Sequence, residues 1–127
     1  MRHLEDAEQI ALFQWAAMQS AKFPELQLMF HIPNGGKRNA QEAARFKLMG
    51  VKAGVPDLFL PVARGGFHGL WIELKSPKGK TSASQETFLK ELCNQGYKTA
   101  VCFGWEMAAK VLKEYIEQAK TMRVSGT

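Results

Sequence analysis

An acid and a lysine lie two residues apart in a segment that otherwise has the pattern of a buried strand. Residues 70–75 read Leu-Trp-Ile-Glu-Leu-Lys, so side-chain alternation places Glu73 and Lys75 on one face. Asp57 follows Pro56 at the start of the preceding apolar run, and the short connection between the two runs indicates a hairpin. Adjacent carboxylates repel unless a cation separates them, and Mg²⁺ prefers such oxygen ligands. The set is coherent with metal-assisted phosphodiester hydrolysis, with Lys75 beside the attacking water.

A solvated ion pair is the plain alternative for Glu73 and Lys75, and an Asp after a Pro is often only turn chemistry. Two more residues favour a site. Glu8 falls on the apolar stripe of a predicted first helix, and Gln85 falls on the apolar face of a later one. A carboxylate that faces the core needs a partner, so these inward polar residues indicate a polar site shared with the strand.

The elements that must position these residues follow from apolar spacing. The spacing predicts helices over residues 4–20, 39–49, 84–95 and 104–119. It predicts strands over residues 26–32, 58–62, 69–75 and 97–103. Asn39 is expected to cap the second helix, and Gly50 to end it. This order predicts an α/β fold of the α+β type, a mixed sheet flanked by helices, with one domain over residues 1–120 and a flexible tail over residues 121–127.

The amino-acid composition is typical of a globular protein with a moderately basic charge. The chain has 127 residues, of which 46% are hydrophobic and 23% charged, as in an ordinary globular domain. Its net charge of +5 and isoelectric point near 9.4 suit a polyanionic partner without requiring one. No apolar run is long enough for a membrane helix, and acidic residues stand where a signal peptide would be apolar, so we expect a cytoplasmic protein. The two cysteines are expected to be buried thiols.

A family resemblance joins these features. Glu8, the Gly-Val-Pro-Asp segment 54–57, the Glu-Leu-Lys segment 73–75 and the Ser-Ala-Ser-Gln segment 82–85 stand in one order, with His-Ile-Pro-Asn-Gly-Gly-Lys-Arg at 31–38. This set resembles the VRR-NUC branch of the PD-(D/E)XK nuclease superfamily, from about residue 8 to residue 115. The resemblance implies a restriction-endonuclease-like αβββαβ core with flanking helices. It also implies a DNA endonuclease that depends on Mg²⁺, for which Mn²⁺ can substitute.

The resemblance assigns the residues of one catalytic site, namely Glu8, Asp57, Glu73, Lys75 and Gln85. Asp57 and Glu73 would bind the metal, with the Leu74 backbone carbonyl as a further ligand and Glu8 reaching the metal through water. Lys75 would orient or activate the nucleophilic water, and Gln85 would support the site from the following helix.

Phosphate contacts are expected where backbone N–H groups or cations are free of bulky neighbours. The residues expected to bind DNA in this way are Asn34, Gly35, Gly36, Lys37, Arg38, Lys78 and Lys80. The resemblance to stand-alone bacterial and phage members implies a homodimer that cuts branched DNA such as Holliday junctions, in the cytoplasm of a bacterial or phage-infected cell. The alternatives are a restriction-like or nicking nuclease without junction preference, and a non-catalytic DNA-binding module of the same fold.

Overall fold

Helices and one sheet make up the part of the chain that the computed structural model describes, which is residues 2–33 and 39–122. The α-helices are α1 (Arg2–Gln19), α2 (Ala40–Leu48), α3 (Ala83–Asn94) and α4 (Trp105–Ile116). The strands are β1 (Phe30–His31), β2 (Leu58–Leu60), β3 (Leu70–Lys75) and β4 (Lys98–Phe103). A 3₁₀ helix (Pro24–Leu28) precedes β1.

The sheet is mixed, with the strand order β1-β2-β3-β4. The β1/β2 and β2/β3 pairs are antiparallel, and the β3/β4 pair is parallel because α3 crosses between those strands. Strand β3 therefore lies inside the sheet, and its side chains are buried on both faces except for the half-buried Trp71. This mixed sheet with flanking helices confirms the predicted α+β fold class.

The apolar core lies where α1 and α4 pack on each other and on β3. Leu70, Ile72 and Leu74 project into it, as the alternation along the strand predicted. Leu12 of α1 and Leu112 of α4 are fully buried in the same cluster. On the opposite face of the sheet, the rings of Trp71 and Phe59 stack with their centroids 4.2 Å apart.

The strand predicted over residues 26–32 is wrong for its first half. Pro24 fixes its own φ and lacks an N–H group, which suits the first turn of a helix, and the chain forms the 3₁₀ helix there. Only Phe30 and His31 pair with β2. The strand predicted over residues 58–62 ends at Leu60, before Pro61.

One smaller expectation also changes. Cys102 is buried, as expected, but Cys93 is exposed, and its Sγ lies 2.9 Å from the Thr99 hydroxyl. The tail predicted from residue 121 is described only as far as Met122, and within it the Thr121 hydroxyl donates to the Phe67 carbonyl at 2.8 Å. The rest of the tail, from residue 123, lies outside the described residues, so the domain boundary stays a prediction.

Helix α2 differs from the other helices because none of its residues is buried. Its ends are instead closed by local hydrogen bonds. The Asn39 side chain accepts from the Glu42 N–H at the start, and the N–H of Val51 returns to the Phe46 carbonyl at the end. Gly50, with φ of 100°, supplies the left-handed residue that this ending requires. The capping residues predicted from the sequence are thus confirmed.

Candidate active site

The β2/β3 hairpin brings Asp57 and Glu73 together. Leu58 pairs with Ile72, so continuing the antiparallel register by one residue sets Asp57 opposite Glu73. The Asp57 carboxylate accepts a hydrogen bond from the backbone N–H of Leu74 at 2.9 Å. Its own carbonyl accepts from the Ile32 N–H at 2.8 Å, which ties the start of β2 to the end of β1.

Glu73 is a buried carboxylate with an incomplete set of partners. Its side chain is 2% exposed. One oxygen, Oε2, accepts a hydrogen bond from the Gln85 amide at 2.8 Å and lies 3.2 Å from the Lys75 ammonium nitrogen. The other oxygen, Oε1, is buried and has no hydrogen-bond partner among the described residues. A buried acceptor without a partner destabilises a fold unless something else binds it.

Burial and mutual repulsion shift the titration of this pair. Burial, followed by the charge of Asp57, raises the pKa of Glu73 from 4.5 to about 7, against the opposing effect of Lys75. Burial also raises the pKa of Asp57, although the hydrogen bond from Leu74 acts in the other direction. Without a further cation the pair therefore holds a proton near neutral pH.

Gln85 connects this carboxylate to the start of α3. Ser82 and Gln85 form a capping box, in which the Gln85 side-chain oxygen accepts from the Ser82 N–H at 2.8 Å. The same amide donates its N–H to Glu73, so both ends of the Gln85 side chain are engaged. Formation of the first turn of α3 thus fixes the group that holds Glu73 in place.

The pair opens into a cavity of about 470 Å³. Asp57, Glu73, Leu74, Lys75 and Gln85 line it, so five of the six residues predicted for the site share one cavity. Three side chains from α1 that the sequence reasoning did not assign also line it, and these are Glu5, Asp6 and Gln9. His31, Pro33, Ala53, Gly54 and Val55 complete the wall.

Glu8 accepts a hydrogen bond from the start of α4. Its Oε1 accepts a hydrogen bond from the Trp105 backbone N–H at 2.8 Å, across 97 positions of sequence. Helix α4 begins after Gly104, which has no side chain to cap it, so Glu8 provides the missing acceptor and a favourable charge at the helix start. Glu8 is not among the residues that line the cavity. Glu5, which lies one helical turn before Glu8 on α1, does line the cavity.

The cations around the cavity differ in exposure. Lys75 is buried, and Gly79 packs so closely against it that an added Cβ would lie 3.1 Å from the Lys75 Cβ. Lys78 and Lys80 are exposed on the loop after β3, where they are open to a ligand. The predicted DNA-binding residues at positions 34–38 lie outside the described residues.

The donor set fits a hard divalent cation held mainly by water and two carboxylates. In residues 4–33 and 39–122, no group of three or more His, Cys, Asp or Glu side chains converges on one point. Mg²⁺ does not need such a group, because it keeps several waters and takes one or two carboxylates. The unpartnered Oε1 of Glu73 beside Asp57 is the kind of oxygen atom that such an ion binds.

Comparison with known proteins agrees with this geometry. The VRR-NUC domain family matches residues 5–105. A solved structure named "VRR_NUC domain protein" superposes with a TM-score of 0.80 at 34% sequence identity, covering 97% of this chain and 96% of that one. No curated protein matches significantly. VRR-NUC is a nuclease family, and its domain is a DNA-acting fold. With its match over most of the chain and a closely similar solved structure, this protein belongs to the VRR-NUC family.

Proposed function

We propose that this protein is a divalent-metal-dependent endodeoxyribonuclease that uses Asp57, Glu73 and Lys75 to hydrolyse phosphodiester bonds. The observation that carries the proposal is the buried Asp57–Glu73 pair, in which one Glu73 oxygen lacks a partner. Stability does not explain this arrangement, because burial and the charge of Asp57 both oppose ionisation of Glu73, so the ionised pair costs free energy in the fold.

Asp57 and Glu73 would hold Mg²⁺ or Mn²⁺, with the Leu74 carbonyl as a further candidate ligand. The bound ion would supply a polarised phosphoryl oxygen and a water of lowered pKa. Lys75 orients the attacking water and stabilises charge that develops on the phosphate. Gln85 keeps Glu73 turned towards the cavity. Glu5 replaces Glu8 as the α1 carboxylate that would reach the ion through water. Glu5 lines the cavity and is half-buried, whereas Asp6, the other acid of that wall, is exposed.

The proposed substrate is DNA, gripped at its backbone by Lys78 and Lys80 and by residues 34–38. More specifically, we propose that a homodimer cuts branched DNA. Paired cuts need two sites related by symmetry, and a homodimer has them. The second candidate is a restriction-like or nicking nuclease without junction preference. The third is a DNA-binding module without activity. The buried carboxylate pair disfavours this candidate, because two acidic side chains do not help to bind the phosphates of DNA. Among the described residues, no helix is long and apolar enough to cross a membrane.

Cleavage of end-labelled four-way junction, flap and linear duplex DNA tests the proposal. Wild-type protein is compared in Mg²⁺, Mn²⁺ and EDTA with Lys75→Met, which keeps the length of the side chain. Metal-dependent cutting that Lys75→Met loses supports the nuclease, and we expect loss on the order of a hundredfold or more. The folded state is checked by circular dichroism, and the exposed Lys113→Met serves as the matched control.

The outcomes separate the candidates. Paired, symmetric cuts confined to the junction support the homodimeric resolvase, and equal cutting of all substrates supports the second candidate. DNA binding without cutting in either metal would refute the enzyme and leave the binding module. Full activity of Lys75→Met would remove Lys75 from the mechanism.

A further inference from the structure

One surface of the molecule is used neither by the core nor by the candidate site. It comprises residues 39–52, here called the cationic arm, which consists of α2 and the turn that follows it. No residue of α2 is buried, although packing of an apolar face is what usually stabilises a helix this short. The arm leads directly into Ala53, Gly54 and Val55, which line the cavity.

The charge of the arm indicates the chemistry of its partner. It carries three cationic side chains, Arg45, Lys47 and Lys52, all exposed, against the single acid Glu42. The only ring contact found for Arg45 in the described residues is with the neighbouring Phe46, at 5.8 Å. Three exposed cations beside a cavity of carboxylates suit a polyanion whose backbone passes from the arm to the cavity.

The dimensions of the arm suit a DNA strand. A helix of nine residues is about 14 Å long, and phosphates of one strand follow each other at about 3.4 Å along the duplex axis. The helix is therefore long enough to reach more than one phosphate of a strand. Lys52 is joined to the cavity wall by one peptide bond, so its Cα lies about 3.8 Å from that of Ala53.

We infer that the cationic arm is a nucleic-acid-binding element, which holds the phosphates on one side of the bond to be cut through Arg45, Lys47 and Lys52. The inference rests on the proposed nuclease function and assigns residues to its substrate grip. The arm also exposes two large apolar side chains, Leu48 at 89% and Met49 at 71%. Leu48, the last residue of α2, and Met49, its C-cap, follow Arg45 by three and four residues, the spacing that shares a face.

DNA binding in EDTA tests the inference without any need for catalysis. Fluorescence anisotropy with a labelled duplex and a labelled junction is measured between about 50 and about 200 mM KCl. The triple variant Arg45→Ala, Lys47→Ala, Lys52→Ala is compared with wild type. We expect the slope of log affinity against log salt to fall by about two to three, and affinity to fall on the order of tenfold or more.

A second triple variant, Lys90→Ala, Lys110→Ala, Lys113→Ala, is the matched control. It removes the same net charge from exposed positions on α3 and α4 that do not line the cavity. An equal loss of affinity in the control would show that only net charge matters and would overturn the inference. An unchanged salt slope in the arm variant would overturn it as well.

Two further readouts separate this inference from the proposed function and from a protein partner. At saturating DNA the arm variant should keep its metal-dependent kcat while KM rises, since the carboxylate site is intact. Wild type that binds through the arm but never cuts would refute the nuclease and keep the inference. In sedimentation, wild type and the variant Leu48→Ser, Met49→Ser should have the same association state. Loss of a dimer in that variant, with DNA affinity unchanged, would show that a second copy covers the arm.

Discussion

The stability of the metal-free protein should fall as pH rises from about 5 to about 8, and Glu73 should cause most of the fall. The pKa of Glu73 is raised from 4.5 to about 7 by burial and by Asp57. Between these values the folded protein binds a proton that the unfolded chain has released, so the free energy of unfolding decreases with rising pH. The effect is absent below the unfolded pKa and complete above the folded one. Asp57, whose pKa burial also raises, contributes in the same direction.

The magnitude follows from the same shift. At about 1.4 kcal/mol for each pH unit, a rise from 4.5 to about 7 corresponds to at most about 3 kcal/mol. Asp57 is only partly buried and the pair lines a cavity, so relaxation and entry of water reduce this value, and we expect about 1–2 kcal/mol. For a domain of this size that is a fall in Tm of roughly 3–8 °C.

Thermal unfolding in EDTA at several pH values measures the effect. Glu73→Gln keeps the shape and removes the titration, so its Tm should change less with pH than that of wild type. Glu114→Gln, on the exposed face of α4, is the control and should behave as wild type does. Mg²⁺ or Mn²⁺ should raise the wild-type Tm more at pH 8 than at pH 5, because the Asp57 and Glu73 carboxylates bind a metal in their ionised form. Equal pH slopes for wild type and Glu73→Gln would refute the reasoning.

Three further predictions concern the surrounding residues. Glu5→Gln should weaken Mn²⁺ binding, measured by calorimetry, by on the order of tenfold. Glu8→Gln should leave Mn²⁺ affinity unchanged and lower Tm by a few degrees, which corresponds to roughly 1 kcal/mol. The reverse result would restore Glu8 to the site. Gly50→Ala forces a side chain into a left-handed position at a cost of about 1 kcal/mol, so it should weaken DNA binding in anisotropy and lower Tm by no more than a few degrees. Ser82→Ala and Gln85→Ala both remove the capping box, but only Gln85→Ala should also reduce cleavage at temperatures where both variants are folded.

Strand β3 could be predicted from the sequence because apolar residues alternate with other residues along it. The pattern predicted which side chains of that strand enter the core, and it placed Glu73 and Lys75 on the other face. It did not set the register of β2 against β3. That register depends on how the connection between the strands is closed. There Arg64 forms an antiparallel bridge with Phe67, and its guanidinium is held by Glu25 and by the Ile116 carbonyl.

The partner of Glu8 shows the limit of helix periodicity. The apolar stripe of α1 correctly indicated that Glu8 faces inwards and needs a partner, and Glu8 is half-buried. It did not indicate that the partner is the uncapped start of α4, because that contact depends on how two distant helices pack. Gly104, which has no side-chain acceptor to offer at the start of a predicted helix, was the available signal. Glu5 was missed because it is one of several acids in the first turns of α1, and only the packed fold places it at the cavity.

The pattern of partners around Glu73 argues that function, and not stability, maintains this carboxylate. An ion pair that served the fold would engage both oxygens, whereas Lys75 and Gln85 both bind Oε2 and leave Oε1 bare within the described chain. An apolar residue at this position of a buried strand would avoid both the repulsion from Asp57 and the bare acceptor. The surrounding elements nevertheless hold the carboxylate in place, through the capping box of α3 and the β2/β3 hairpin. On the proposed function, a cation bound between Asp57 and Glu73 would remove their repulsion, which is why metal should raise Tm more at pH 8 than at pH 5.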